Sequence, residues 1–105
     1  MMENKIKNII MTVLSEFGLS AQKVILFGSR ARGDHSQKSD WDILIILDKE
    51  LPQEVKRLIS KRIRENLAMA LIPCDVLVRT PAQVEKFKQY VHSVTKNALK
   101  EGKEL

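Results

Sequence analysis

The sequence predicts an α/β domain that takes in residues 1–105 as a single unit. Three observations carry this reading. Apolar residues recur at helical spacing in three stretches. Short aliphatic runs bounded by turn residues stand between those stretches. A length of 105 residues with 44% hydrophobic residues suits one packed core that needs no staples. The predicted order is helix, strand, strand, helix, strand, helix.

Each element has its own signal. Ile6, Ile9, Ile10, Val13, Leu14 and Phe17 fall at helical spacing, and Gly18 supplies the stop. Val24–Phe27 is a short apolar run ending at Gly28-Ser29, as a buried strand does on entering a turn. Arg30–Ser39 is polar, with Gly33 and Asp34 as turn residues. Asp40–Asp48 reads as the second strand, uninterrupted aliphatic from Ile43 to Leu47. Pro52 suits the first turn of a helix, where its missing N–H goes unused. Val55, Leu58, Ile59, Ile63, Leu67, Ala70 and Leu71 give that helix an apolar stripe, and Pro73 ends it. Asp75–Arg79 is the third strand, alternating in character. Thr80-Pro81-Ala82-Gln83 resembles a capping box with proline at the first helical position. It opens a last helix with Val84, Phe87, Val91, Val94 and Ala98 on its buried side and Gly102 near its end.

Composition narrows the function classes. The lone cysteine, Cys74, excludes an internal disulfide and points to a cytoplasmic setting. No apolar run approaches the roughly 18 residues that span a membrane, and the amphipathic N-terminus is no signal peptide. The net charge of +5 and pI of about 9.5 suggest an anionic partner: a nucleotide, RNA or an acidic protein surface.

The chemistry lies in two features separated by ten residues, Gly28-Ser29 and Asp40-Trp41-Asp42. A strand has period two, so Asp40 and Asp42 project from one face, roughly 7 Å apart at the backbone. Paired carboxylates repel each other and add little as structure. They become favourable around a divalent cation, and oxygen ligands suit magnesium or manganese. Gly28 lets a triphosphate approach the backbone, while Ser29 offers a hydroxyl and an N–H to its oxygens. An ordinary turn followed by a solvated strand start is the alternative.

The stretch GSRARGDHSQKSDWDILI resembles the signature of the DNA polymerase β-like nucleotidyltransferase superfamily, in particular its minimal members. The resemblance covers Val24 to about Arg79. It implies the nucleotidyltransferase fold, a small mixed sheet with helices packed on one face. It also implies a third carboxylate on a later strand, where Asp75 falls. Asp40, Asp42 and Asp75 would then be catalytic and would hold two magnesium (or manganese) ions, bridging the triphosphate of ATP and the attacking oxygen. Asp75 would also help deprotonate the acceptor hydroxyl. Gly28 and Ser29 would hold the β- and γ-phosphates. Arg30 and Arg32 either neutralise the triphosphate or remain exposed loop residues.

Because nothing but Glu101–Leu105 follows the last helix, the acceptor is expected on a separate chain. Minimal members resembling this one pair, as antitoxins, with a helical HEPN-type toxin. The expected reaction is transfer of a nucleoside monophosphate, AMP from ATP, to a hydroxyl on that toxin; the alternative is a non-catalytic antitoxin that blocks by contact. Nucleic-acid binding ranks last, since five aromatic residues mostly at core positions leave no stacking platform. Homo- or hetero-oligomers are compatible with either reading. Cys74 is expected as a small buried residue, His35 as a solvated loop residue, His92 as surface, and Tyr90 as partly buried. Trp41 should face away from the aspartates. Lys56, Arg57, Lys61, Arg62 and Arg64 make one helix basic, a solvated face or a meeting place for an acidic partner.

Overall fold

The structure, a computed structural model, describes residues 2–33, 40–89 and 93–105. Along them run α1 (Met2–Glu16), β1 (Ala21–Phe27), a one-turn α2 (Ser29–Arg32), β2 (Trp41–Leu47) and α3 (Gln53–Met69). β3 (Cys74–Arg79), α4 (Pro81–Phe87), α5 (Val94–Glu101) and β4 (Lys103–Glu104) follow. The strands form a mixed sheet in the order β3-β2-β1-β4. β2 and β3 are parallel and joined by the α3 crossover, while β1 pairs antiparallel with both β2 and β4.

The period of two along β2 divides the molecule. Trp41, Ile43, Ile45 and Leu47 turn to the side where α1 and α3 lie, joining Ile6, Ile10, Leu14, Ile59, Ile63 and Leu67 in the larger core. Ile43, Ile45 and Leu47 are fully buried there, each contributing about 1.5–3 kcal/mol of burial. Leu44 and Ile46 turn the other way and pack with Ile25, Val84 and Ala98 in a second, smaller core. The long helices therefore share one face, as expected, but α4 and α5 depart from that expectation by covering the other. An uninterrupted aliphatic strand is apolar on both sides, so both sides require a cover.

The ends of elements follow their local chemistry. Thr80 caps α4 by accepting from the Gln83 N–H at 3.3 Å, and the Gln83 side chain accepts from the Thr80 N–H at 3.0 Å. The expected long last helix is instead two helices; Ser93 caps the second by accepting from the Lys96 N–H at 3.2 Å. Val91, Tyr90 and His92 lie outside the described residues, as do Asp34 and His35.

Three apolar residues expected on buried faces are exposed: Leu58, Val94 and Leu71. Leu58 lies off the Lys56–Ile59–Ile63–Leu67 stripe that α3 buries. Leu71 lies beyond the end of α3, where the chain turns with φ 61°. Its N–H donates to Ala68 C=O and that of Ile72 to Leu67 C=O, a helix-ending turn that usually takes glycine. β4 is an addition the sequence pattern does not mark: Ile25 and Leu26 pair with Glu104 and Lys103. The Leu105 N–H then donates to the Val24 C=O at 2.8 Å.

Candidate active site

The site forms where β1 ends and β2 and β3 begin. Phe27 pairs with Asp42 across the antiparallel ladder, and Asp42 is the register partner of Asp75 across the parallel one. Register partners project from the same sheet face, so Asp42 and Asp75 share a face with each other and with Leu44 and Ile46. Asp40 immediately precedes β2, and both Asp40 and Asp75 are exposed, whereas Asp42 is partly buried.

Gly28 sits at φ 74°, ψ −156°, a region that only glycine occupies readily. This conformation turns the chain from β1 into α2. A Cβ at Gly28 would overlap the Asp42 carboxylate oxygen Oδ2. The glycine therefore has a second purpose beyond access for phosphate: it leaves the space in which the Asp42 carboxylate lies. Ser29 opens the α2 turn, in which the Ala31 and Arg32 N–H groups both donate to the Gly28 C=O at 3.2 Å and Gly33 N–H donates to Ser29 C=O.

The electrostatics follow this crowding. Burial raises the Asp42 pKa above its usual value, the Asp75 and Asp40 charges raise it further, and Arg32 pulls against them. Asp75, Asp40 and Arg32 thus all act through space on Asp42. Arg30 stacks its guanidinium over Trp41, 4.4 Å from the ring centroid. Trp41 lies on the α1/α3 side of β2, facing away from Asp42 as expected. Cys74, half-buried against the larger core, has its thiol pushed up to about 12 by burial and then by Asp40, Asp75 and Asp42. A thiol held in its protonated form is a poor nucleophile, in line with its expected packing role.

The donor set is carboxylate oxygen, which suits magnesium or manganese. Among the described residues no three His, Cys, Asp or Glu side chains are gathered closely enough to hold a metal ion as they stand. Mutual repulsion between carboxylates acts against such gathering, and a divalent cation would relieve it. The donors fit an oxygen-seeking cation in chemistry. Also among the described residues, no helix is long and apolar enough to cross a membrane.

A nucleotidyltransferase domain family matches residues 6–105 of the chain. Two proteins of Methanocaldococcus jannaschii are similar to it, each named "Putative protein adenylyltransferase". One is 31% identical over 98% of this chain and 96% of its own length, the other 35% identical over 70% and 72%. Among solved structures, a toxin-antitoxin with AMP-PNP superposes with a TM-score of 0.58 at 18% identity, covering 92% of this chain and 69% of its own. A mutant of the toxin-antitoxin MntA-HpeT does so with a TM-score of 0.58 at 20% identity, covering 94% and 70%. These superpositions establish a shared fold.

Proposed function

We propose, on the premise that the chain belongs to the nucleotidyltransferase domain family, that it works as one minimal domain over residues 1–105, transferring AMP from ATP to a hydroxyl of a partner protein. The observation that supports this best is the pairing of Asp42 with Asp75 on one sheet face, beside the glycine that makes room for Asp42. Gly28 and Ser29 would take the β- and γ-phosphates at the start of α2, with Arg32, which already acts on Asp42, offsetting triphosphate charge. Arg30 would contribute less, because its guanidinium lies over Trp41. Asp40, Asp42 and Asp75 would hold two divalent cations, which when bound stabilise charge on the phosphate oxygens.

The acceptor oxygen attacks the α-phosphorus, the bond to the β-phosphate oxygen breaks, and pyrophosphate leaves. The acceptor proton passes to the Asp75 carboxylate, the most exposed of the paired acids and a base within the site. The acceptor we propose is a helical HEPN-type toxin, with the chain as its cytoplasmic antitoxin. The likeness in fold to toxin-antitoxin structures, one of them holding AMP-PNP, favours this pairing.

The experiment combines such a partner, magnesium and ATP labelled at the α-phosphate with wild type or an Asp40→Ala, Asp42→Ala double variant. Label on the partner with wild type alone is the expected result. Equal neutralisation of the partner by both proteins without label would overturn the transferase and leave a contact-only antitoxin. In parallel, magnesium with ATP should raise the melting temperature of wild type by mass action. Asp42→Ala should lose that rise while staying folded, and in metal-free buffer should be at least as stable as wild type.

A further inference from the structure

A second site lies away from the carboxylates, along the outer edge of the sheet. β3 ends the strand order, and among the described residues no strand lies beyond it. Trp41 N–H donates to the Pro73 C=O at 2.9 Å, so the backbone groups of Pro73 and, by alternation, Asp75 and Leu77 point toward β2. Those of Cys74, Val76 and Val78 point outward. The Val78 carbonyl is met by Arg79 Nη1 at 3.1 Å.

A groove of about 370 Å³ runs between this edge and α3. Four cationic side chains of α3 line it, Lys56, Arg57, Lys61 and Arg64. The α3 residues recur at helical spacing, so they form a stripe parallel to the edge. No Asp or Glu is among the described residues lining the groove. Lys56 is itself only 8% exposed, whereas the Arg79 guanidinium turns to Thr95 and Phe87 on the other face of the sheet. Positive charge is thus concentrated in a partly dry channel beside the outward-pointing backbone of Cys74 and Val76. Such a surface calls for an occupant that carries negative charge and also hydrogen-bonding backbone.

We infer that the α3/β3 groove docks an extended acidic segment of a partner protein, which adds as a strand to β3 and sets its acidic side chains on the α3 cations. Edge pairing supplies affinity and alternate side chains supply selectivity, since every second residue of an added strand faces the α3 side. A polynucleotide would satisfy the charge but not the strand edge. β3 begins beside Asp75, so a docked segment runs on toward the carboxylates; if the chain is the transferase proposed above, the same groove chooses which segment is presented there.

Docking is tested without nucleotide or metal, so that it is judged apart from the transferase reading. Fluorescence anisotropy follows a labelled peptide of alternating Glu and Thr binding to the full chain. The peptide should bind wild type, and an alternating Lys and Thr peptide should not. Affinity should fall about tenfold or more when the peptide amides that face β3 are N-methylated, and likewise for an Arg57→Glu, Lys61→Glu double variant. Both residues are exposed, and the far-UV circular dichroism and melting temperature of the double variant without ligand, expected to match wild type, report a folded protein. Failure of wild type to bind the acidic peptide overturns the inference. So does a single-stranded DNA oligonucleotide of equal charge that binds as tightly while N-methylation has no effect, which would make the groove a general polyanion surface.

Discussion

The two faces of the sheet are built from the same strand yet do different work. On the α1/α3 face, β2 contributes Ile43, Ile45 and Leu47, all fully buried. On the opposite face, it contributes Leu44 and Ile46 under α4 and α5, and then Asp42 where that cover gives out. The first face is committed to stability along its whole length. The second is committed only where α4 and α5 reach, so its uncovered end can hold charges that a closed core would expel. The charges of Asp40 and Asp75 act on Asp42 at that end, while the larger core lies on the far side.

The largest effect that probes this division is a cavity on the closed face. Ile45→Ala should cost about 2–5 kcal/mol in denaturant unfolding, as expected when a fully buried side chain is removed. Leu77→Ala, on the open face and only partly buried, should cost clearly less. Equal losses would mean that the two faces share the stabilising work.

Gly28→Ala should come next, at about 1–3 kcal/mol, from a conformation that disfavours any Cβ. Here the comparison sharpens, because the new methyl group meets the Asp42 carboxylate rather than core. Transfer activity and the magnesium-ATP melting shift should both be lost, whereas Ile45→Ala should keep whatever shift its remaining folded protein allows.

The smallest effect concerns Cys74, which packs on the closed face while feeling the charges of the open one. Its thiol is raised from the ordinary 9.0 to about 12. Between those values the native chain keeps a proton that the unfolded chain releases, so stability falls as pH rises through that window. Cys74→Ala should flatten the alkaline loss, measured by urea unfolding at about pH 8 and about pH 10.5, with little change at the lower pH.

Much of this arrangement was legible in the sequence, for reasons that differ by residue. Asp40 and Asp42 were readable because strand period and like-charge repulsion together demand an explanation, and Asp75 gained meaning only from the family resemblance. The capping box at Thr80 was readable because its chemistry is local. What escaped depends on distant parts of the chain. Lys103 and Glu104 carry no strand signal and pair only because β1 presents an edge to them. The division of the last helix into α4 and α5 was hidden by an apolar stripe continuous enough to suggest one rod. The second duty of Gly28 could not be read either, since the space it leaves is filled by a residue fourteen positions later.

The brevity of β4 has a consequence for how this protein behaves among copies of itself. One rim of the sheet is a two-residue strand, too short to template much pairing, while the other is the six-residue β3. A fibril grows only when every subunit offers two adhesive rims, one to hold its neighbour behind and one to recruit the next. A sheet with a single adhesive rim can pair once and is then finished. Among the described residues, the Lys103–Glu104 rim therefore offers far less backbone to a neighbouring copy than the β3 rim does.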